Sequence, residues 1–461
     1  MSRQKSSASL KRKCQDDKGK VVKGRGPWSA TVYGYLEMPS NRSTSTIYQF
    51  YNCRILKDGK LQREDLWIRD GKILNPEKLF FDEKGYADVR IDCKNLLIAP
   101  GYIDVQINGG FGVDFSSDVE NVEEGVSKVA KGLLAYGCTS FCPTIVTSPP
   151  EIYRQIIPRI KLRDGSSEGA GVLGIHIEGP FISKDKKGAH PEKYLKKFRQ
   201  GWDDVMETYS TLDGVKLFTI APELEHSSDI IKQLVKRNIR VSVGHSSANL
   251  SQAEAAVKAG ATCITHLFNA MGPFHHRDPG IVGLLTSHKI PKGVTLFYGM
   301  IADGIHTDPA ALRIAYRAHP QGLMVVTDAI NAMGFPIGTH KIGQLDVDVT
   351  SDGRACISGT NTLCGSIVTM DKCVKHFLEA TNCSTEEALE AGTRHPAEML
   401  GIAAQKGTLD YNSDADFILL DDELNVQATY IAGELVWDKV KGNHDKRGVQ
   451  RKGISGFKDI V

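Results

Sequence analysis

The sequence predicts an α/β protein: a (β/α)8 barrel of the TIM type, with a small β-sandwich domain assembled from both chain ends. Three patterns predict it. Between Leu96 and Ala329, eight short β-rich runs alternate with helical-looking segments, and eight βα units in about 230 residues match the length of such a barrel. Seven of these runs carry an ionisable or amide side chain at or just past their C-terminal end, the face where a barrel gathers its chemistry. On both sides of this region lie short strand-like segments with Asp-Gly and Ala-Gly turns, which most simply form one β domain.

Residues 1–44, centred on SLKRKCQDDKGKVVKGRG, are poor in apolar side chains and read as a flexible basic tail. Their KRK cluster is a candidate signal for nuclear presence, with a solvated charged tail the simpler reading. Residues 45–95 (IYQFYNCRIL, EDLWIRDGKIL, ADVRIDCKN) supply the first part of the small domain. The barrel takes 96–405, with strand runs LLIAPGYIDVQ, CTSFCPTIV, VLGIHIEGPF, KLFTIAPE, IRVSVGHS, CITHLFNAM, TLFYGMIADG and LMVVTDA. Helices are expected in NVEEGVSKVAKGLLAYG, SSDIIKQLVKRN and NLSQAEAAVKAG, and THKIGQLDVDVTSDGRACISG (339–359) reads as a β-hairpin inserted after the eighth strand. Residues 406–438 complete the small domain, and 439–461 read as a second basic tail. A doubly wound open sheet ranks behind, because no GxGxxG opens the first βα turn.

With 461 residues, 41% hydrophobic and 24% charged, the chain has the composition of a soluble protein with a large core. A net charge of +2 gives no overall electrostatic reason to bind nucleic acid or an anionic membrane. No apolar run reaches the roughly 18 to 20 residues that span a bilayer. The ten cysteines form no CxxC pair, and Cys138, Cys142 and Cys263 lie in apolar runs where a thiol serves as a small hydrophobe. This usage points to a reducing, cytoplasmic setting.

The strand ends carry the candidate chemistry. Glu178 in GIHIEGP, His245 in VSVGHSSA and His266 in THLFNAM place a carboxylate and two imidazoles on one barrel face, a donor set suited to Zn²⁺ or Fe²⁺ with a position left for water. Each alone reads more simply as a hydrogen-bonded core residue, and it is the three in register on one barrel face that packing does not explain. Asp328 in VVTDA is placed to move a proton, or to cap the following segment. His306 and the cluster His275, His276 and Arg277 lie in loops of the same face, where guanidinium and imidazole can hold a phosphate, although an isolated HHR cluster reads more simply as solvated surface. PGYIDVQINGG aims Gln106 and Asn108 at the face that also carries Asp104. Alone, that pair reads as strand-end polarity before a Gly-Gly turn.

Taken in order, GIHIEGPF, GAH at 188–190, VGHSSA, THLFNAM with HHRDPG, ADGIHTDP, VTDAINAMG and NTLCGS resemble the N-acetylglucosamine-6-phosphate deacetylases of the amidohydrolase superfamily, over about residues 48–438. The resemblance implies a metal-dependent barrel and a homodimer. It also implies cleavage of the acetamide of a sugar phosphate to glucosamine 6-phosphate and acetate. It assigns Glu178, His245 and His266 to one divalent metal per subunit, with zinc first and iron or cobalt as alternatives, and Asp328 to the general base and acid. Ala189, His190, Asn269, Ala270, Asp303, Gly304, Ile305, His306, Leu363, Cys364 and Gly365 match substrate contacts. Arg277 matches a phosphate-binding arginine that the family supplies across the dimer interface. Where many amidohydrolases carry HxH for a second metal, this chain has Gln106 and Asn108, and neutral amides are poor ligands for zinc-like ions. One metal is therefore expected, with Gln106 supporting Glu178 or the metal's water from behind.

Two rivals make different demands. A dihydroorotase-like cyclic amidase generally needs HxH and often a carboxylated lysine, neither of which is visible. A catalytically dead barrel used as a scaffold predicts lost ligands, whereas Glu178, His245, His266 and Asp328 are all present.

Overall fold

The computed structural model describes residues 45–342, 345–360, 363 and 365–440, together with strands at 21–22 and 30–32. Its centre is a barrel of eight parallel strands in sequence order: Tyr102–Ile107, Cys138–Val146, Ile175–Glu178, Val215–Ile220, Arg240–Val243, Cys263–Ile264, Phe297–Ile301 and Leu323–Val326. Six of the eight fall within the runs expected from the sequence, and the first and fourth exceed theirs by one residue, Ile107 and Val215. The barrel closes between first and eighth strands just past their ends, where Asp328 N–H donates to Gln106 O and Asn108 N–H to Ala329 O, both at 2.8 Å.

The helices follow from spacing and caps. Val122–Leu133 buries Val122, Val126, Val129, Ala130 and Leu133 on one stripe against the strands. Leu250–Ala259 starts at a capping box in which Asn249 and Gln252 exchange side-chain and backbone bonds, and it ends at Gly260 with φ of 119°. Sequence periodicity and end signals coincide in both. None of the helices is long and apolar enough to cross a membrane among the described residues.

The small domain is a sandwich of two six-stranded sheets. Phe417 stacks on Tyr430 with ring centroids 4.6 Å apart, and Phe50 stands edge-on to both, so this core joins the two chain ends. The strand Leu97–Pro100 lies at the seam, paired with both Phe417–Leu420 and Arg54–Lys57.

Three boundaries differ from the sequence reading. The run LLIAPGYIDVQ is two strands, Leu97–Pro100 in the sandwich and Tyr102–Ile107 in the barrel, so the barrel begins past Gly101 and not at 96. Continuous apolar character hid the break, because both halves are buried. The insertion at 339–359 is a three-stranded antiparallel sheet, Gly338–Ile342, Leu345–Val349 and Ala355–Ile357, one strand more than a hairpin. Within 1–44, read as a tail, Val21–Val22 and Ala30–Val32 form strands, the second pairing with Val89–Asp92. The remainder of 1–44 and the tail from 441 lie outside the described residues.

Gly101 takes the chain from one domain to the other. A Cβ there would fall 2.2 Å from both Cγ2 and Oγ1 of buried Thr139. Gly101→Ala is therefore expected to destabilise the fold by about 1–3 kcal/mol through overpacking. A thermal unfolding midpoint equal to that of the parent protein would refute this.

Candidate active site

Glu178 is the last residue of the third strand, and His245, His266 and Asp328 each stand two residues past the end of theirs. Those three have positive φ, 48°, 28° and 46°. Left-handed backbone at a non-glycine residue costs of order 1–3 kcal/mol. It turns each side chain from the strand direction into the barrel mouth, and the loops hold it there. Ser183 N–H donates to His245 O at 2.8 Å and Asn269 N–H to His266 O at 2.9 Å. Glu223, one of the strand-end acids, does not face the site. Its carboxylate accepts from Ser246 Oγ and Ser247 N–H, bracing the turn that carries His245.

Three ligand atoms meet at one point. His245 Nε2 lies 2.9 Å and His266 Nε2 3.0 Å from Glu178 Oε1, and the two nitrogens are 2.9 Å apart. The edge of a tetrahedron around zinc is about 3.4 Å, given ligands at 2.0–2.1 Å. The triangle is thus slightly tighter than one face of such a site. His245 Nδ1 faces the Lys186 carbonyl at 2.9 Å, which can only accept, so Nδ1 carries the proton and Nε2 presents a lone pair. Two imidazole nitrogens and a carboxylate oxygen this close, all buried, fit a shared cation. His190 stands beside them, its ring centroid 4.4 Å from that of His245, but its Nδ1 is engaged by Thr147 Oγ1 at 2.7 Å. A ligand atom of His190 also comes within 4.8 Å of those of Glu178 and His245. The shorter separations favour His266 as the third ligand.

Each of the two amides on the first strand serves one carboxylate. Gln106 Nε2 donates to Glu178 Oε2 at 3.0 Å, and Asn108 Nδ2 donates to Asp328 Oδ1 at 2.8 Å. Burial pushes the Glu178 carboxyl up, but bonds and charges from His245 and His266 outweigh it and hold Glu178 well below the usual range. Asp328 moves the other way: burial and the nearby Glu178 charge raise it to about 6, against the pull of His266 and Asn108. Two carboxylates in one pocket are thereby set apart, one held ionised and the other raised above the usual range.

A cleft of about 370 Å³ opens over this group. Of the residues expected to contact substrate, Ala189, His190, Asn269, Ala270, His306, Leu363 and Gly365 line it, and Asn269 Nδ2 is buried without a partner. Asp303 does not line it. Its carboxylate accepts from Ile305 N–H, His306 N–H and His306 Nδ1–H, the last at 2.6 Å, so it aims the ring of His306. Burial lowers the His306 imidazole, but the Asp303 bond outweighs this and raises it. Gly304 and Ile305 also stand back from the cleft, Cys364 lies outside the described residues, and Arg277 is exposed away from its own chain's cleft.

Asn108, Asp114 and Ile330 line the cleft without having been picked out as contacts from the sequence. For Asn108 the signal was present, since strand periodicity already sent it to this face.

The amidohydrolase family profile matches residues 97–436. The N-acetylglucosamine-6-phosphate deacetylase of Danio rerio is 63% identical over 405 residues, covering 87% of this chain and all of its own length, 100%. That of Homo sapiens is 61% identical over 393 residues, covering 85% of this chain and 96% of its own. Among solved structures, the Thermotoga maritima N-acetylglucosamine-6-phosphate deacetylase superposes with a TM-score of 0.70 at 29% identity, covering 85% of this chain and 100% of that one. A mutant of the Mycobacterium smegmatis enzyme in complex with N-acetyl-D-glucosamine-6-phosphate gives 0.69 at 28% identity, covering 86% and 100%. With this barrel, these convergent ligand atoms and these relatives, the chain belongs to the amidohydrolase family, among its N-acetylglucosamine-6-phosphate deacetylases.

Proposed function

We propose that the hydrolysis of N-acetylglucosamine 6-phosphate to glucosamine 6-phosphate and acetate, the reaction of this chain, rests on Glu178, His245 and His266 holding one divalent ion and on Asp328 carrying the proton. The observation that supports it is the meeting of three ligand atoms within 3.0 Å of one another beside a carboxyl poised near 6. When bound, the ion supplies Lewis-acid polarisation and lowers the pKa of water. Asp328 takes a proton from the attacking water and returns it to the amine nitrogen as the C–N bond breaks. His306, aimed by Asp303, steadies the developing oxyanion or a sugar hydroxyl, and the unpartnered Nδ2 of Asn269 offers a further donor.

Zinc suits a donor set of two imidazoles and one carboxylate, and iron and cobalt accept the same ligands. We read the enzyme as a cytoplasmic homodimer. The eight described cysteines are all free and seven are buried, which suits a reducing compartment. Arg277 is exposed and outside its own chain's cleft, and beside it Phe274 is 63% exposed, which suits a loop that reaches into a second copy.

The amides at 106 and 108 lead to a stoichiometry of one ion per chain. Glu178→Gln should lose that ion together with activity, and elemental analysis finding two activity-linked ions per chain would overturn this. Asp328→Asn should keep fold and metal while turnover falls roughly 10²- to 10⁴-fold, the usual worth of a general acid or base; a near-normal kcat rejects the role. Arg277→Ala should raise KM strongly for the 6-phosphate substrate and leave the unphosphorylated sugar nearly unchanged. Mixing it with Asp328→Asn protein should restore activity in heterodimers, and their failure to recover any would place Arg277 outside a shared site.

A further inference from the structure

The proposed chemistry gives Asn108 no task, yet its placement is specific. Its backbone N–H donates to Ala329 O at 2.8 Å, which sets it opposite the end of the eighth strand. From there Nδ2 donates to Asp328 Oδ1 at 2.8 Å and, more weakly, to the Asp328 carbonyl at 3.4 Å. An ionised carboxylate only accepts, so the pairing fixes which end of the amide faces Asp328. The other end, Oδ1 of Asn108, is buried without a partner. Burying an unmade acceptor is unfavourable, so the amide is not there to satisfy both its ends. Within the described chain Asp328 Oδ2 makes no hydrogen bond, leaving one carboxyl oxygen held and the other open.

We infer that Asn108 is a positioning residue for proton transfer: by occupying Oδ1 of Asp328 it fixes the carboxyl plane and confines the travelling proton to Oδ2. The inference rests on the reading of Asp328 as the proton carrier. The torsion that turns a carboxyl about its own axis is soft and roughly two-fold, so an unheld Asp328 would offer either oxygen and sample many planes. With Asn108 in place, water's proton arrives on Oδ2 and leaves from Oδ2 to the amine nitrogen as the C–N bond breaks, which restores the carboxylate. Oδ1 remains an acceptor throughout, so the Asn108 bond survives both protonation states. Alignment held through both transfers is where positioning acts on rate.

The test is Asn108→Leu, which keeps the number and branching of side-chain heavy atoms but makes no side-chain hydrogen bonds, with Asn108→Ala as a second variant should the bulkier leucine prevent folding. The expected result is a fall in kcat of about 10- to 100-fold, KM within threefold and metal content unchanged. A kcat within threefold of the parent, or a loss carried by KM or by the metal, overturns the inference. In the Asp328→Asn background the same substitution should change the residual rate less than threefold, because the group it acts through is gone. Equal losses in both backgrounds would make Asn108 merely structural. Where that residual rate is too low to read, the split between kcat and KM in the single variant decides. Full turnover in Asp328→Asn alone would instead remove the proton carrier, a failure distinct from that of Asn108.

Discussion

The buried carboxylate of Glu178 is the constraint on which the site depends. An ionised carboxylate removed from water is unfavourable by several kcal/mol unless its oxygens are satisfied. Here one oxygen meets His245 and His266 and the other meets Gln106. That requirement draws the first, third, fifth and sixth strands to one point. It also accounts for the strained backbone at the histidines, because regular strands would leave their side chains out of reach. The eighth strand joins the group through Asp328 and Asn108. The barrel closes at the same place, by backbone bonds between residues 106 to 108 and 328 to 329. Closure of the fold and assembly of the site are one set of contacts.

Much of this was legible in the sequence, for identifiable reasons. Parallel strands buried on both faces write themselves as apolar runs, and seven of the eight runs ended in a polar residue because the mouth is the wet end. Thus all eight strands, and the convergence of Glu178, His245, His266 and Asp328, could be read without coordinates. The seam at Gly101 could not, since LLIAPGYIDVQ is equally apolar on both sides of it. The tasks of neighbours were hidden too: Glu223 and Asp303 carry the same strand-end signature as Glu178, but one braces a turn and the other aims His306. Composition marks which residues reach the mouth. Only the loop backbone decides which of them faces inward.

The two amides illustrate how one site can replace charge by geometry. Histidines at 106 and 108 would bring further ligands and invite a second cation, which would neutralise Glu178 and Asp328 together. Amides donate a single hydrogen bond to each carboxylate and leave their charges distinct. Burial and neighbouring groups then separate the two, with Glu178 held down and Asp328 raised to about 6.

The seam strand Leu97–Pro100 has a consequence for how the protein is made. It pairs with Phe417–Leu420, a partner more than 300 residues later in the chain. At a ribosomal pace of about 5–20 residues per second, the first half of the sandwich waits roughly 15–60 seconds for its missing strands. During that interval Phe50, Ile98 and the edge of Leu97–Pro100 lack the aromatic and backbone partners that cover them in the finished molecule. The barrel can form behind this unfinished sheet, but the sandwich is sealed only when the last strands emerge. A truncation anywhere before 417 therefore removes more than a terminus: it leaves the opposite end of the chain without its core.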